Sequence, residues 1–238
     1  MDNLKEYVIR SLKRNKGESK VIQALDDVSL DIYKGEKIGI IGYNGAGKST
    51  LLKVICGVYK PKKGNIEVNG RISPLLGLNS GFDMNFSGKD NIYFNGAILG
   101  YNKKFLDERY DKIVEFSELG DYINIPIKNY SNGMLAKLGF SIASMVEPDI
   151  LVIDEVLGVG DINFAKKSSA KMRELMNSGC TVILVSHSIP QIRTNCDKVI
   201  WIDNGKVKAV GETDKICDMY IKDAENANTQ QLKNIKLV

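Results

Sequence analysis

The sequence predicts an α/β protein: a strand-and-helix core that carries an antiparallel β subdomain and an inserted α-helical subdomain. Three observations lead there. Short apolar, β-branched runs at Lys37–Ile41, Ile150–Asp154 and Thr181–Ser186 have the length and composition of buried strands. From about Asp90 to Val146 the pattern turns helical, with Leu106, Tyr110, Ile113 and Val114 at i, i+4, i+7 and i+8. Alternating segments supply the antiparallel part: Val21–Ile32, and a strand pair within Asn65–Ile72 turning at Asn69-Gly70.

Taken in order, Met1–Lys20 is polar and basic, with Leu4, Tyr7, Val8 and Leu12 at the spacing of a short amphipathic helix. Lys34-Gly35-Glu36 turns into the first core strand, and Ser49–Cys56 reads as a helix closed by Gly57. Phe164–Asn177 reads as a helix that stops before Gly179, and Asn204-Gly205 joins Val199–Asp203 to Lys206–Val210 as a hairpin. The expected organisation is one domain over residues 1–222, with the helical subdomain inserted at about 88–147. A flexible tail rich in Asn, Gln and Lys is expected over 223–238.

Composition narrows the class. A chain of 238 residues with 43% hydrophobic and 26% charged residues can bury a continuous core. Its formal charge of +4 suits a solvated basic surface and calls for no nucleic-acid partner. No apolar run reaches the roughly 20 residues of a membrane helix, and no signal-peptide core is present. Cys56, Cys180, Cys196 and Cys217 are scattered and read as reduced apolar residues, and the single histidine, His187, excludes a His-based metal cluster.

The strongest signal is Gly42–Thr50, which fits G-x-x-x-x-G-K-[ST] with Gly42, Gly47, Lys48 and Ser49 in the fixed positions. A strand precedes it and a helix follows, as a phosphate-binding loop requires. Glycines let backbone N–H groups converge on phosphate oxygens, and the helix N-terminus adds partial positive charge. The nucleotide-binding set is Gly42, Asn44, Gly45, Ala46, Gly47, Lys48, Ser49 and Thr50. Within it, Lys48 reaches the β- and γ-phosphates and the Ser49 hydroxyl ligates Mg²⁺.

Downstream, the strand Ile150–Asp154 ends in the carboxylates Asp154 and Glu155. An acidic pair after a strand is common and gains weight only beside such a loop. On that reading Asp154 holds Mg²⁺ and Glu155 polarises the water that attacks the γ-phosphate. His187 follows the strand Thr181–Ser186, at the sheet edge where ligands of such folds gather, and is placed to donate a hydrogen bond to the γ-phosphate. Tyr130-Ser-Asn-Gly-Met134 by itself is an ordinary turn and helix cap. Its place between the helical segment and Ile150 gives it significance.

In this order and spacing the motifs resemble the nucleotide-binding subunit of ABC transporters, over about Ala24–Ile221. The matching pieces are the loop 42–50, the Tyr130–Met134 signature, Asp154-Glu155, the stretch Gly158–Asp161 and His187. The resemblance implies ATP and Mg²⁺, and a homodimer with head-to-tail ATP sandwich in which Ser131 and Gly133 of one subunit complete the site of the other. It also implies an integral-membrane permease as partner and a peripheral place on the cytoplasmic face of the membrane. Further segments, Ile72–Phe82, Phe86–Ile92 and Asn95–Gly100, are similar to the branch that exports lipid-linked polysaccharides such as O-antigen or teichoic acid.

The chain departs from the family pattern in three places. Where most members carry a glutamine that contacts Mg²⁺, this chain has Leu78 and Asn79, and Asn79 offers an oxygen on a side chain one methylene shorter. The signature has Asn132 for its first glycine and Met134 for its glutamine. The aromatic that stacks on adenine has only Tyr7 as a replacement. Three other readings compete, one of them an ATP-binding interaction module that hydrolyses slowly, which Asn79 and the missing aromatic favour. Soluble ABC-type ATPases acting on DNA or the ribosome fuse two cassettes or insert long coiled coils, which 238 residues do not hold. A P-loop kinase would not need Tyr130–Met134.

Overall fold

The computed structural model describes residues 23–75, 81–145, 148–154 and 160–235. The N-terminal helix and Tyr7 expected from the sequence, together with Asn79, Glu155 and Gly158, lie outside them. Strands β1 (Lys37–Ile41), β2 (Ile72–Leu75), β3 (Ile150–Asp154), β4 (Thr181–Val185), β5 (Lys198–Asp203) and β6 (Lys206–Glu212) form a six-stranded sheet in the order β2-β3-β4-β1-β5-β6. All pairs are parallel except β5 with β6. That last pair is the hairpin read at Asn204-Gly205, and both turn residues have positive φ (48° and 77°), as a two-residue hairpin turn demands.

Side-chain alternation gives each face of the sheet its own core. Ile38, Ile40, Val152, Ile183, Val185, Ile200 and Ile202 point to one face, where Leu51 and Leu52 of helix α1 (Lys48–Ile55) cover them. Ile41, Leu151, Ile153, Val182, Leu184, Val199 and Trp201 belong to the other cluster. Opposite them lie Phe140 of α5 (Asn132–Ser144), Phe164 and Met172 of α6 (Ile162–Met176), Ile192 of α7 (Ile189–Asn195) and Ile216 of α8 (Thr213–Ile235). Strands covered on both faces account for the unbroken apolar runs in the sequence.

The inserted segment comprises α2 (Gly88–Ile98), α3 (Lys103–Asp107), α4 (Tyr110–Ser117), two short 3₁₀ turns (Gly120–Asn124 and Ile127–Asn129) and α5. It has its own buried cluster, Ile92, Ile113, Leu119, Ile123, Ile127, Leu135, Leu138 and Ile142. Helix α5 serves both bodies, since Leu135, Leu138 and Ile142 face this cluster while Phe140 and Ala143 face the sheet. A capping box starts α2: Ser87 Oγ accepts from Asp90 N at 3.1 Å and Ser87 N donates to Asp90 Oδ2 at 3.3 Å. The i, i+4, i+7, i+8 pattern that ran through Leu106 and Ile113 is divided between α3 and α4, because Leu106 packs with Tyr101 in a separate cluster from Ile113.

Three local expectations change. Asn65–Asn69 forms no strand, so no hairpin closes at Asn69-Gly70. Instead the Asp149 carboxylate accepts from Arg71 N at 2.9 Å, and the chain runs on as β2, parallel to β3. Residues 23–32 also join no ladder, yet Leu25, Val28, Leu30 and Ile32 pack against the cluster beneath α1. At the other end α8 continues as helix to Ile235, through the point where a flexible tail was expected to begin. Buried Ile216 and Cys217, together with Arg193 salt bridges to Asp214 and Asp218, secure its first turns.

Candidate nucleotide site

β1 occupies the middle of the sheet, and its chain leaves at Gly42 directly into the glycine loop. Two of the loop glycines are required by close approach. A Cβ on Gly42 would stand 2.2 Å from the Ile202 carbonyl oxygen, and one on Gly47 (φ 106°) would stand 2.6 Å from the Ala24 carbonyl oxygen. β5 and the segment ahead of β1 thus press the loop from two sides, with Gly205 N donating to Ala46 O at 2.9 Å. Gly47 caps α1 without a side-chain acceptor, which leaves the helix start to present its N–H groups to an anion. Asn44, Gly45 and Ser49 are exposed, Thr50 is half-buried and Ala46 is buried.

Lys48 is buried at 6% exposure. Its Nζ donates to Gly42 O at 2.7 Å and to Tyr43 O at 3.0 Å, so the ammonium is folded back under the loop it belongs to. Burying an ammonium is costly unless it is hydrogen-bonded, and these carbonyls compensate for part of its lost hydration.

The sheet register brings the other predicted groups to the same edge. Ile40 of β1 and Asp154 of β3 are both level with Val185 of β4. Asp154 therefore lies two strands across from the loop, about 10 Å at ordinary strand spacing. His187 is exposed two residues beyond Val185. The turn that carries it is fixed by Ser186, whose Oγ donates to Gln191 Oε1 at 2.9 Å and accepts from Ser188 N at 3.0 Å.

The signature residues form a separate place. Ser131 caps α5 and accepts from Met134 N at 3.2 Å. Ser131 and Gly133 line an open depression of about 370 Å³ together with Glu118, Leu119, Tyr122, Met134, Lys137 and Asp161, to which loop 42–50 contributes nothing.

That depression holds residues the motif reading passed over. Lys137 pairs with Asp161 at 2.7 Å and with Glu118 at 3.3 Å, and Lys167 pairs with Glu118 at 2.9 Å. The Lys137 ammonium, with N–H donation from Phe164 and Asn163, lowers the Asp161 carboxyl to about 2, so it stays ionised throughout the neutral range. Lys137 sits on the same helix as the signature, which was a signal available in the sequence; Glu118 gave none. Of the cysteines, Cys180, Cys196 and Cys217 are buried, and burial raises the Cys196 thiol to about 12, in keeping with reduced, unreactive residues.

Comparison with known proteins identifies the family. The family model described as ABC transporter matches residues 25–158, more than half of the chain. The chain is 47% identical over 197 residues to the O-antigen export system ATP-binding protein RfbB of Klebsiella pneumoniae, covering 83% of this chain and 80% of that protein. To the teichoic acids export ATP-binding protein TagH of Enterococcus faecalis it is 48% identical, over 83% of this chain but only 44% of that longer protein. Among solved structures, a dimeric ATP-binding cassette with ADP and phosphate superposes with a TM-score of 0.64 at 22% identity, covering 82% of this chain and 93% of the other. The glycine loop in the middle of a mostly parallel sheet, the level carboxylate on β3 and the matches across more than four-fifths of the chain lead to one assignment: this protein belongs to the ABC transporter family, as an ATP-binding subunit and ATPase.

Proposed function

We propose that the chain is the motor subunit of an exporter that moves a lipid-linked polysaccharide across the cytoplasmic membrane. The observation that carries this is its identity of 47% and 48% to the ATP-binding subunits of O-antigen and teichoic acid export systems. Among the described residues no helix is long and apolar enough to cross a membrane, so the path for the cargo would come from a separate permease. The helical subdomain would provide the docking surface. Its first helix exposes Phe94 and Ile98, and the ring of Phe94 meets that of exposed Phe86, just ahead of the helix, edge to face at 5.8 Å.

At the site, the N–H groups of loop 42–50 and the start of α1 would hold the phosphates of ATP, and Lys48 would exchange its loop carbonyls for phosphate oxygens. Mg²⁺ suits the donors present. The Ser49 hydroxyl and the Asp154 carboxylate are hard oxygen ligands, and among the described residues no cluster of three or more His, Cys, Asp or Glu exists to hold a metal without substrate. A metal that arrives with phosphates needs only such a pair, and its chemistry is to neutralise charge developing on the β- and γ-oxygens. Asn79 would add a further oxygen. Glu155, next in the chain after Asp154, would polarise the attacking water. His187 would donate to the γ-phosphate, and Ser131 and Gly133 of a second copy would close over it. The separation of the signature depression from the loop within one chain supports that division between copies.

The test is purification of the protein from its native membranes in mild detergent. A hydrophobic permease carrying glycolipid is expected to come with it; ribosomes or DNA in its place would overturn the transport reading and leave the ATPase standing. For His187→Ala, kcat is expected to fall roughly 100-fold, the usual effect of losing one charge-stabilising donor. ATP affinity in a calorimetric titration should stay close to normal, and full steady-state turnover would remove His187 from the mechanism.

A further inference from the structure

Tyr43 occupies a position of the phosphate loop where the motif prescribes no residue, and its side chain leaves the loop to meet the C-terminal helix. Its hydroxyl donates to Asp223 Oδ2 at 3.0 Å, and its ring lies 5.2 Å from that of Tyr220 at an interplanar angle of 39°. Both partners are on α8. Tyr220 stands edge-on to the buried Trp201 of β5 at 5.4 Å, and Asp223 also accepts from Lys208 Nζ at 3.0 Å, which lies 4.0 Å from the Trp201 ring centre. The Tyr43 contacts therefore end on the sheet itself, on the strand next to β1.

The same residue's carbonyl oxygen accepts from Lys48 Nζ at 3.0 Å and from Ala46 N at 3.1 Å. One residue thus joins α8 to the lysine of the phosphate loop. Gly42 and Gly45 lie close on either side of it, and a chain with glycines there is free to adopt many conformations unless something restrains it.

We propose that Tyr43 is a positioning residue for ATP, through which α8 holds the phosphate loop and Lys48 in the geometry that binds the nucleotide. The hydroxyl is well suited to this, since burial and the Asp223 carboxylate raise it to about 12 and keep it a donor at any physiological pH. The effect falls on binding rather than on the chemical step, because the groups Tyr43 touches are Lys48 of the loop and Asp223 and Tyr220 of α8. The proposal rests on the assignment of loop 42–50 to the phosphates.

Titration calorimetry with Mg-ATP and steady-state kinetics on the full chain test it. Tyr43→Ala is expected to raise Kd and KM about tenfold, the cost of leaving one side chain and its loop to be ordered on binding. Tyr43→Phe keeps the ring contact and should recover most of that loss, leaving about threefold. In the Asp223→Ala background, which loses the Lys208 contact as well, adding Tyr43→Phe should cause no further loss, since the Tyr43 hydrogen bond is already gone. Unchanged affinity in Tyr43→Ala, a loss confined to kcat, or additive effects of Tyr43→Phe and Asp223→Ala would each overturn the proposal. Failure of the wild-type protein to bind Mg-ATP would overturn it together with the site on which it rests.

Discussion

Lys48→Ala is expected to abolish nucleotide binding at micromolar ATP. The reason lies in what the ammonium touches. It is almost wholly buried beneath the loop, within reach of two carbonyls that a phosphate can replace. Its removal leaves a multiply charged anion facing a site without its compensating cation, and truncating one partner of such a pair costs about 2–5 kcal/mol. Affinity should therefore fall at least about 30-fold, with turnover lost in parallel. The protein should still fold, because the apolar contacts of α1 come from Leu51 and Leu52. A calorimetric titration with unchanged affinity would refute the role given to Lys48.

Glu155→Gln separates binding from chemistry. Loss of a general base commonly lowers the rate about 10²- to 10⁴-fold while the phosphate loop remains intact. If a second copy's Ser131 and Gly133 close over the nucleotide, this variant should accumulate as an ATP-bound dimer in light scattering. A species that stays monomeric with saturating Mg-ATP would count against the sandwich arrangement, though not against the ATPase itself.

Parts of the candidate site were legible in the sequence where neighbours in the chain settle their local geometry. The loop 42–50 is such a case, because strand, glycines, lysine and helix start are contiguous. Asp154 was legible as a candidate because it ends an apolar run, and parallel register sets it level with Val185 and Ile40, with His187 two residues beyond. Features set by distant residues were not. The turn at Asn69-Gly70 loses to Asp149, 78 residues beyond Arg71, which claims the Arg71 N–H. Tyr43 meets Asp223 across a separation of 180 residues, and no local pattern distinguishes a tyrosine so engaged from an exposed one. Glu118 terminates α4 with a φ of 57° and from there reaches lysines on two other helices, an arrangement that only the packed structure reveals. The composition of 223–238 suggested a flexible tail, and as far as Ile235 the described chain is helix, continuous with the turns that Ile216 and Cys217 anchor.

The separate apolar cluster inside the inserted segment has a consequence for how such chains diversify. Ile92, Ile113, Leu119, Ile127 and Leu138 satisfy one another, while the sheet edge that carries the candidate site relies on the two clusters flanking the sheet. Substitutions on the outer surface of the insert then leave the geometry of Lys48 and Asp154 untouched, and mutations with effects far apart tend to combine independently. Over generations the outer surface of the insert is free to vary while the packing around β1 and β3 stays constant.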